Sequence, residues 1–269
     1  MSFSVLMSLY AKERPDFLRQ SLDSVFNQTL VPDEVILVED GPITTDLYRV
    51  VSEYSDKHPE IKMVLLPVNK GLGLALREGL THCSNELVAR MDTDDVCKPD
   101  RFEKQMAFMQ SHPDIDVCGS WIDEFIGSID NVTSQRRTAE TASEIAEFAR
   151  SRNPLNHPSV MFRKSAVERA GSYQHFPLFE DWYLWVRMIH NGSRLANIPE
   201  SLLWFRTSPD TFKRRGGWRY AKDSAKFQMA LCNLGFISTL QAIKGSVIRG
   251  TVYMLPNSLR AFIYSKLLR

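Results

Sequence analysis

Short apolar runs alternate with helix-spaced patterns over about the first 120 residues, as in βαβ units that build a mostly parallel sheet. Phe3–Leu9 reads as a strand. Pro15 opens a helix to about Asn27, with Phe17, Leu18, Leu22, Val25 and Phe26 at helical spacing. Glu34–Glu39 is a second strand that stops at the turn Asp40-Gly41-Pro42. A helix over about Thr45–Lys57, a strand over Ile61–Leu66 and a helix from the Asn69-Lys70-Gly71 loop to about His82 follow. Leu87–Met91 is a fourth strand and runs straight into Asp92-Thr93-Asp94-Asp95. A helix from Pro99 to about Gln110 and a strand over Val117–Phe125 come next. Beyond them the pattern gives an amphipathic helix near Ser143–Arg150, strands at Ser159–Phe162 and Leu202–Phe205, and a helix over Asp181–His190. From about Trp218 the chain reads as helical, with breaks at Gly235, Gly245, Gly250 and Pro256.

The chain has 269 residues, enough for one large domain with an appendage. With 43% hydrophobic and 24% charged residues it is neither disordered nor fibrous. No apolar stretch reaches the ~20 residues of a bilayer-spanning helix, and the N-terminus lacks the basic region of a signal peptide. Cys83, Cys97, Cys118 and Cys232 show no metal-binding or disulfide spacing, which fits a reducing cytoplasm. Charge is unevenly spread. Residues 224–269 hold six Lys and Arg and no Asp or Glu, so the rest of the chain is net negative. That split predicts an acidic catalytic body and an anionic partner near the tail. The basic residues lack an interleaved aromatic recognition motif, so no nucleic-acid partner is expected.

The sharpest chemical signal is Asp92-Thr93-Asp94-Asp95 at a strand end. Three carboxylates in four residues repel one another, and a divalent cation carrying a diphosphate relieves that. Hard oxygen ligands suit Mn²⁺ or Mg²⁺, and the C-terminal edge of the strands is where α/β sheets bind ligands. A solvated turn that caps a helix is the plainer alternative. Glu39-Asp40-Gly41 offers a carboxylate to a base or ribose, or is simply a turn. Asn69-Lys70-Gly71-Leu72-Gly73 precedes a helix and can cradle a phosphate, but GxGxxG fails because its third glycine falls at Leu76. Glu180-Asp181 stands at a helix start beside Trp182 and Trp185: a general base with aromatic walls for a sugar ring, or a cap favoured by the helix dipole. His157 is a candidate site residue, or a structural histidine, as a lone one more often is. Arg206, with Lys213-Arg214-Arg215 after it, is placed to screen a diphosphate or to form a basic loop.

Taken in order, the strand at the N-terminus, Glu39-Asp40-Gly41, Asn69-Lys70-Gly71, Arg90-Met91-Asp92-Thr93-Asp94-Asp95, Pro99-Asp100-Arg101, His157-Pro158-Ser159 and Glu180-Asp181-Trp182 with Leu184-Trp185 resemble family 2 glycosyltransferases. The resemblance spans about residues 3–210 and is to the enzymes that build O-antigen and exopolysaccharide repeat units. It implies a GT-A fold: a Rossmann-like, mostly parallel sheet flanked by helices. The catalytic domain would be residues 1–217, with a nucleotide-sugar half over about 1–120 and an acceptor half over about 121–217. Residues 218–269 would form a basic helical extension. The resemblance implies that Asp40 contacts uracil, with Glu39, Lys70, Gly71 and Arg77 lining the donor site. Asp92 would meet the ribose or the metal, Asp94 the Mn²⁺ or Mg²⁺ that bridges the diphosphate, and Asp181, with Glu180 beside it, would be the base. Arg206 would face the leaving group, and His157, Trp182 and Trp185 the acceptor. Many relatives carry a histidine after the arginine that matches Arg206. Here Thr207-Ser208 stand instead, so water would complete the metal shell.

The expected reaction is transfer of a hexose, glucose or galactose, from a UDP-sugar with inversion. The expected acceptor is a polyprenyl-diphosphate-linked N-acetylhexosamine at the inner face of the cytoplasmic membrane. One base and one in-line displacement turn an α-linked donor into a β-linked product. A nucleotidyltransferase that makes sugar nucleotides is the competing enzyme class. It usually carries a glycine-rich loop after the first strand, where this chain has Tyr10-Ala11-Lys12-Glu13. A non-catalytic sugar- or lipid-binding protein would not need Asp92, Asp94 and Asp181 together. The tail, with apolar residues from Leu231 to Leu268 and cations including Arg260, Lys266 and Arg269, is expected to lie on an anionic membrane, the alternative being packing on the body.

Overall fold

The computed structural model describes residues 2–208, 216–256 and Arg260. Its first half runs β1 (Phe3–Leu9), α1 (Pro15–Phe26), β2 (Glu34–Asp40), α2 (Thr45–Lys57), β3 (Ile61–Leu66), α3 (Leu72–His82), β4 (Leu87–Asp92), β5 (Val96–Cys97), α4 (Arg101–Ser111) and β6 (Val117–Phe125). The second half runs β7 (Val132–Arg136), α5 (Ala142–Phe148), a single 3₁₀ turn (His157–Ser159), β8 (Met161–Arg163), α6 (Lys164–Arg169), α7 (Glu180–His190), β9 (Leu195–Arg206), α8 (Trp218–Asn233) and α9 (Thr239–Met254). The sheet order is β3-β2-β1-β4-β8-β6-β9-β5, with β7 on β6. Pairing is parallel through β3-β2-β1-β4 and between β6 and β9. It is antiparallel where β8 meets β4 and β6, and at β5 and β7.

The strands of the first half are apolar because helices cover both faces. Phe3, Val5, Met7 and Leu9 of β1 pack with Leu18, Leu22 and Val25 of α1. Leu6 turns the other way, toward Leu76 and Leu80 of α3 and a layer that includes Trp185 of α7. The chain winds from β1 to β3 on one side, then returns to place β4 on the other side of β1. That reversal opens a crevice at the carboxyl ends of β1 and β4, the usual ligand position in such sheets.

The sequence pattern placed most elements of the first half to within a residue or two. The α4 helix begins at Arg101 and not Pro99, with Asp100 in the N-cap position. The strand expected at Ser159–Phe162 is a 3₁₀ turn followed by the short β8. The strand expected at Leu202–Phe205 starts at Leu195, and its register against β6 shifts near Trp121, which interrupts the alternation. Gly245 and Gly250 do not break α9. A Cβ at Gly245 would lie 2.5 Å from Gln228 Oε1, so this glycine lets α9 approach α8 closely. The inner side of the α8–α9 hairpin packs on α7 through Phe227, Leu231 and Ala242 against Phe179, Trp182 and Val186. Arg260, expected among the membrane-facing cations, is buried, and its Nη1 donates to the carbonyls of Tyr253 and Leu255. Lys213-Arg214-Arg215, Lys266 and Arg269 lie outside the described residues.

Candidate active site

Asp92 closes β4, and Asp94 and Asp95 occupy the turn after it. A carboxylate oxygen from each of Asp92, Asp94 and Asp95 lies within 4.8 Å of the other two. Several bonds hold this turn. Ser21 Oγ donates to the Asp92 carbonyl at 2.8 Å, and Thr93 Oγ1 donates to Glu13 at 3.0 Å. The backbone N–H of Arg206, at the end of β9, donates to Asp95 Oδ1 at 2.8 Å, and its Nε donates to the Asp94 carbonyl at 2.7 Å. The Arg206 guanidinium also stacks on Phe17 and Phe125, at 3.9 and 4.5 Å from the ring centroids. Arg206 therefore braces the acidic turn, with its remaining donors engaged by Gly127 and Gln20.

Burial and like charge leave this cluster short of positive charge. Burial, then the charges of Asp92 and Glu13, push Asp94 up to about 7. Burial, then Asp94 and Asp92, hold Asp95 well above the usual carboxylate range. Asp95 Oδ2 is buried and without a hydrogen-bond partner among the described residues. Three converging carboxylates, one with an orphaned oxygen, fit a hard divalent cation. Asp95 places a third carboxylate oxygen in the group, a position for which the sequence had pointed to water. Thr207 is turned aside, its Oγ1 donating to the Phe125 carbonyl at 3.2 Å.

The side of the crevice that the sequence assigned to the nucleotide is built around Asp40. Its carboxylate accepts from the backbone N–H of Lys70 at 2.6 Å and of Gly71 at 3.0 Å, and Asn69 Nδ2 donates to its carbonyl at 3.0 Å. Asp40 is buried and fixes the loop that starts α3. Beside it, burial raises the Glu39 carboxyl, and Glu39 Oε2 has no partner among the described residues. Lys70 and Arg77 are exposed. Gly41 has φ +79, and a Cβ there would sit 2.5 Å from Asn69 N. Gly41→Ala is therefore expected to displace the 69–71 loop and raise the donor KM several-fold with little change in kcat. An unchanged donor KM in steady-state assays would show that this loop does not hold the donor.

Glu180 and Asp181 open α7. Asp181 Oδ2 accepts from Asn153 Nδ2 at 2.5 Å, and Oδ1 accepts from the Trp182 backbone N–H at 2.7 Å. Burial raises the Asp181 carboxyl, and Asn153, Trp182 and Arg90 partly offset that. Burial, then Asp181, push Glu180 up to about 7, and Glu180 Oε2 has no partner among the described residues. Arg90 ties the two acidic groups together. It is 1% exposed and pairs with Asp92 Oδ1, and its charge also acts on Asp94, Asp95, Glu180 and Asp181.

The expected acceptor contacts are buried. Trp185 is fully buried in the layer beneath the sheet. Trp182 donates Nε1 to the Ala149 carbonyl at 2.9 Å and packs against Phe227. Neither presents a face on which a sugar could stack. His157 is buried with Nε2 3.0 Å from Tyr173 Oη, and burial, then Arg90, hold it well below the usual imidazole range. Sequence reasoning missed Glu13, Arg90 and Asn153 as neighbours of the site. Arg90 carried a signal: an arginine inside the apolar strand Leu87–Asp92 needs a buried anion.

The sheet-edge crevice is thus bordered by the 69–71 loop, an acidic turn and a separate acidic pair. The model of glycosyl transferase family 2 matches residues 4–175, and the chain belongs to that family. It is 41% identical to the amylovoran biosynthesis glycosyltransferase AmsE of Erwinia amylovora, over 98% of both chains. It is 37% identical to a UDP-Gal:alpha-D-GlcNAc-diphosphoundecaprenol beta-1,3-galactosyltransferase of Escherichia coli, over 99% of this chain and 96% of that one. Among solved structures it resembles S. aureus TarS 1-349 in complex with UDP-GlcNAc, with a TM-score of 0.71 and 17% identity, over 100% of this chain and 76% of that one. The protein is thus a glycosyltransferase of the GT-A fold.

Proposed function

We propose that the chain transfers a hexose, galactose or glucose, from a UDP-sugar to a lipid-diphosphate-linked N-acetylhexosamine, with inversion at the anomeric carbon. The observation that carries this reading is the grouping of Asp92, Asp94 and Asp95 at the crevice, coupled through Arg90 to Asp181. The end-to-end likeness to the undecaprenol-linked galactosyltransferase supports the donor and acceptor classes. Asp92, Asp94 and Asp95 are the residues that would hold Mn²⁺ or Mg²⁺. When bound, such an ion neutralises charge that develops on the departing diphosphate. Asp40 and Glu39 face the base and ribose, and the 69–71 loop borders them. Asp181, oriented by Asn153, takes the proton of the acceptor hydroxyl as that oxygen bonds to the anomeric carbon. The bond from that carbon to the diphosphate oxygen breaks on the opposite face, and UDP leaves. Glu180 adjoins the base.

A panel of UDP-, GDP- and dTDP-hexoses, offered with GlcNAc- and GalNAc-diphospho-lipids, tests this reading. UDP release that depends on acceptor is expected with UDP-galactose or UDP-glucose. Release of pyrophosphate from UTP and a sugar 1-phosphate would point instead to a nucleotidyltransferase.

A further inference from the structure

The α9 helix is built inside out. Leu240, Ile243, Val247 and Met254 project along one side and are 76%, 58%, 62% and 58% exposed, with Ile248 next to them. At 100° per residue these four fall within a stripe about 60° wide. The side that meets the body is small or polar: Ala242, Gly245, Ser246, Arg249 and Tyr253. A helix that only packed on its own domain would place these two sets the other way round.

We infer that the outward face of α9 docks on the interfacial region of an anionic lipid bilayer. The charge pattern selects this occupant. Residues 224–269 contain no Asp or Glu, and Lys244 lies on the exposed side of the helix. Lipid phosphates answer such a face. A second copy laid on it symmetrically would bring cation against cation with no acid to meet them. The length also fits a helix that lies on the membrane. Sixteen residues span about 24 Å, short of the ~30 Å hydrocarbon core, and no helix among the described residues is long and apolar enough to cross a membrane. Trp218, 74% exposed, sits beside the end of α9, where the Gly217 N–H donates to the Tyr253 carbonyl at 2.9 Å. An indole there suits the headgroup level.

The docked helix would stand behind the catalytic base. Arg249, on the inner side of α9, donates to the Ser151 carbonyl and stacks over Trp182 at 4.8 Å. Ser151 is two residues from Asn153, and Trp182 adjoins Asp181. The surface would thereby present the crevice to a lipid-linked acceptor, a consequence that rests on the proposed acceptor, whereas docking itself does not.

The test is flotation of the full chain, without substrates, on vesicles of phosphatidylethanolamine with phosphatidylglycerol and on phosphatidylcholine vesicles. Wild type is expected to float with the anionic vesicles and far less with phosphatidylcholine. The double variant Ile243→Asp/Val247→Asp should partition at least ~10-fold less, and Ile243→Ser/Val247→Ser should follow it, with helical circular dichroism retained. Ile243→Leu/Val247→Leu should float like wild type. Equal flotation of wild type and both polar variants would overturn the inference. So would a wild type that ignores vesicles but forms a dimer that the polar variants dissolve. Hexose transfer to a short-chain, water-soluble acceptor is read in the same preparations and should be equal in all variants. Its absence in wild type would contradict the proposed reaction and leave the docking result standing.

Discussion

Asp181→Asn is expected to lower kcat by at least ~10²-fold while the donor KM changes little, because an amide of the same size cannot take the acceptor proton. The fold should tolerate the change. The amide oxygen can still accept from Asn153 or from the Trp182 N–H, the two donors now on the carboxylate. The pH profile adds a second readout. Burial lifts the Asp181 carboxyl, so the acidic limb of kcat for wild type should lie above the ordinary carboxylate range near ~4, and activity should rise with pH as the carboxyl ionises. Glu180→Gln removes a carboxyl that burial and Asp181 push up to about 7, and Glu180 is not among the groups that raise Asp181, so that limb should stay in place while kcat on the plateau falls far less. If Glu180→Gln, and not Asp181→Asn, abolishes turnover, the base is Glu180.

Asp94→Asn is expected to abolish nearly all turnover and to remove the effect of divalent cations on stability. Asp92, Asp94 and Asp95 crowd negative charge that burial already disfavours, and Arg90 and Arg206 offset only part of it. A cation that binds the folded cluster stabilises it by mass action, about 2.7 kcal/mol at a hundredfold excess over Kd. For a chain of this size that is a rise in Tm of a few degrees. Wild type should show this rise with Mn²⁺ and lose activity in EDTA. Asp94→Asn should show neither the rise nor the activity. Full activity of Asp94→Asn in EDTA would remove the metal from the reaction.

The sequence was most informative where physical constraints are local. Strands covered on both faces are mostly apolar, so β1, β2 and β4 stood out, and the acidic turn was conspicuous because it follows β4 directly. Short elements were lost. The two-residue β5 and the polar β7 carry no periodicity, and β9 bends where its register slips. The site itself was legible in its carboxylates and not in its supports. Asn153 meets Asp181 across 28 residues, and Arg206 meets Asp95 across 111. Such pairs form only when the chain folds. Trp182 and Trp185 misled for a related reason: at helical spacing a tryptophan beside an acidic pair suits either a sugar or the core, and α7 turns both rings inward. Composition could not show which tail cations the fold turns inward. Arg249 and Arg260 donate to backbone carbonyls, while apolar α9 side chains point outward.

The stereochemistry of the product tests the central claim most directly. A single displacement assisted by Asp181 requires that an α-linked UDP-hexose yield one UDP per β-linked hexosyl product. The anomeric proton of the purified product, read by NMR as its coupling constant, is expected to show the β configuration in every transfer that releases UDP. An α-linked product would contradict the single-displacement reaction assigned to this site.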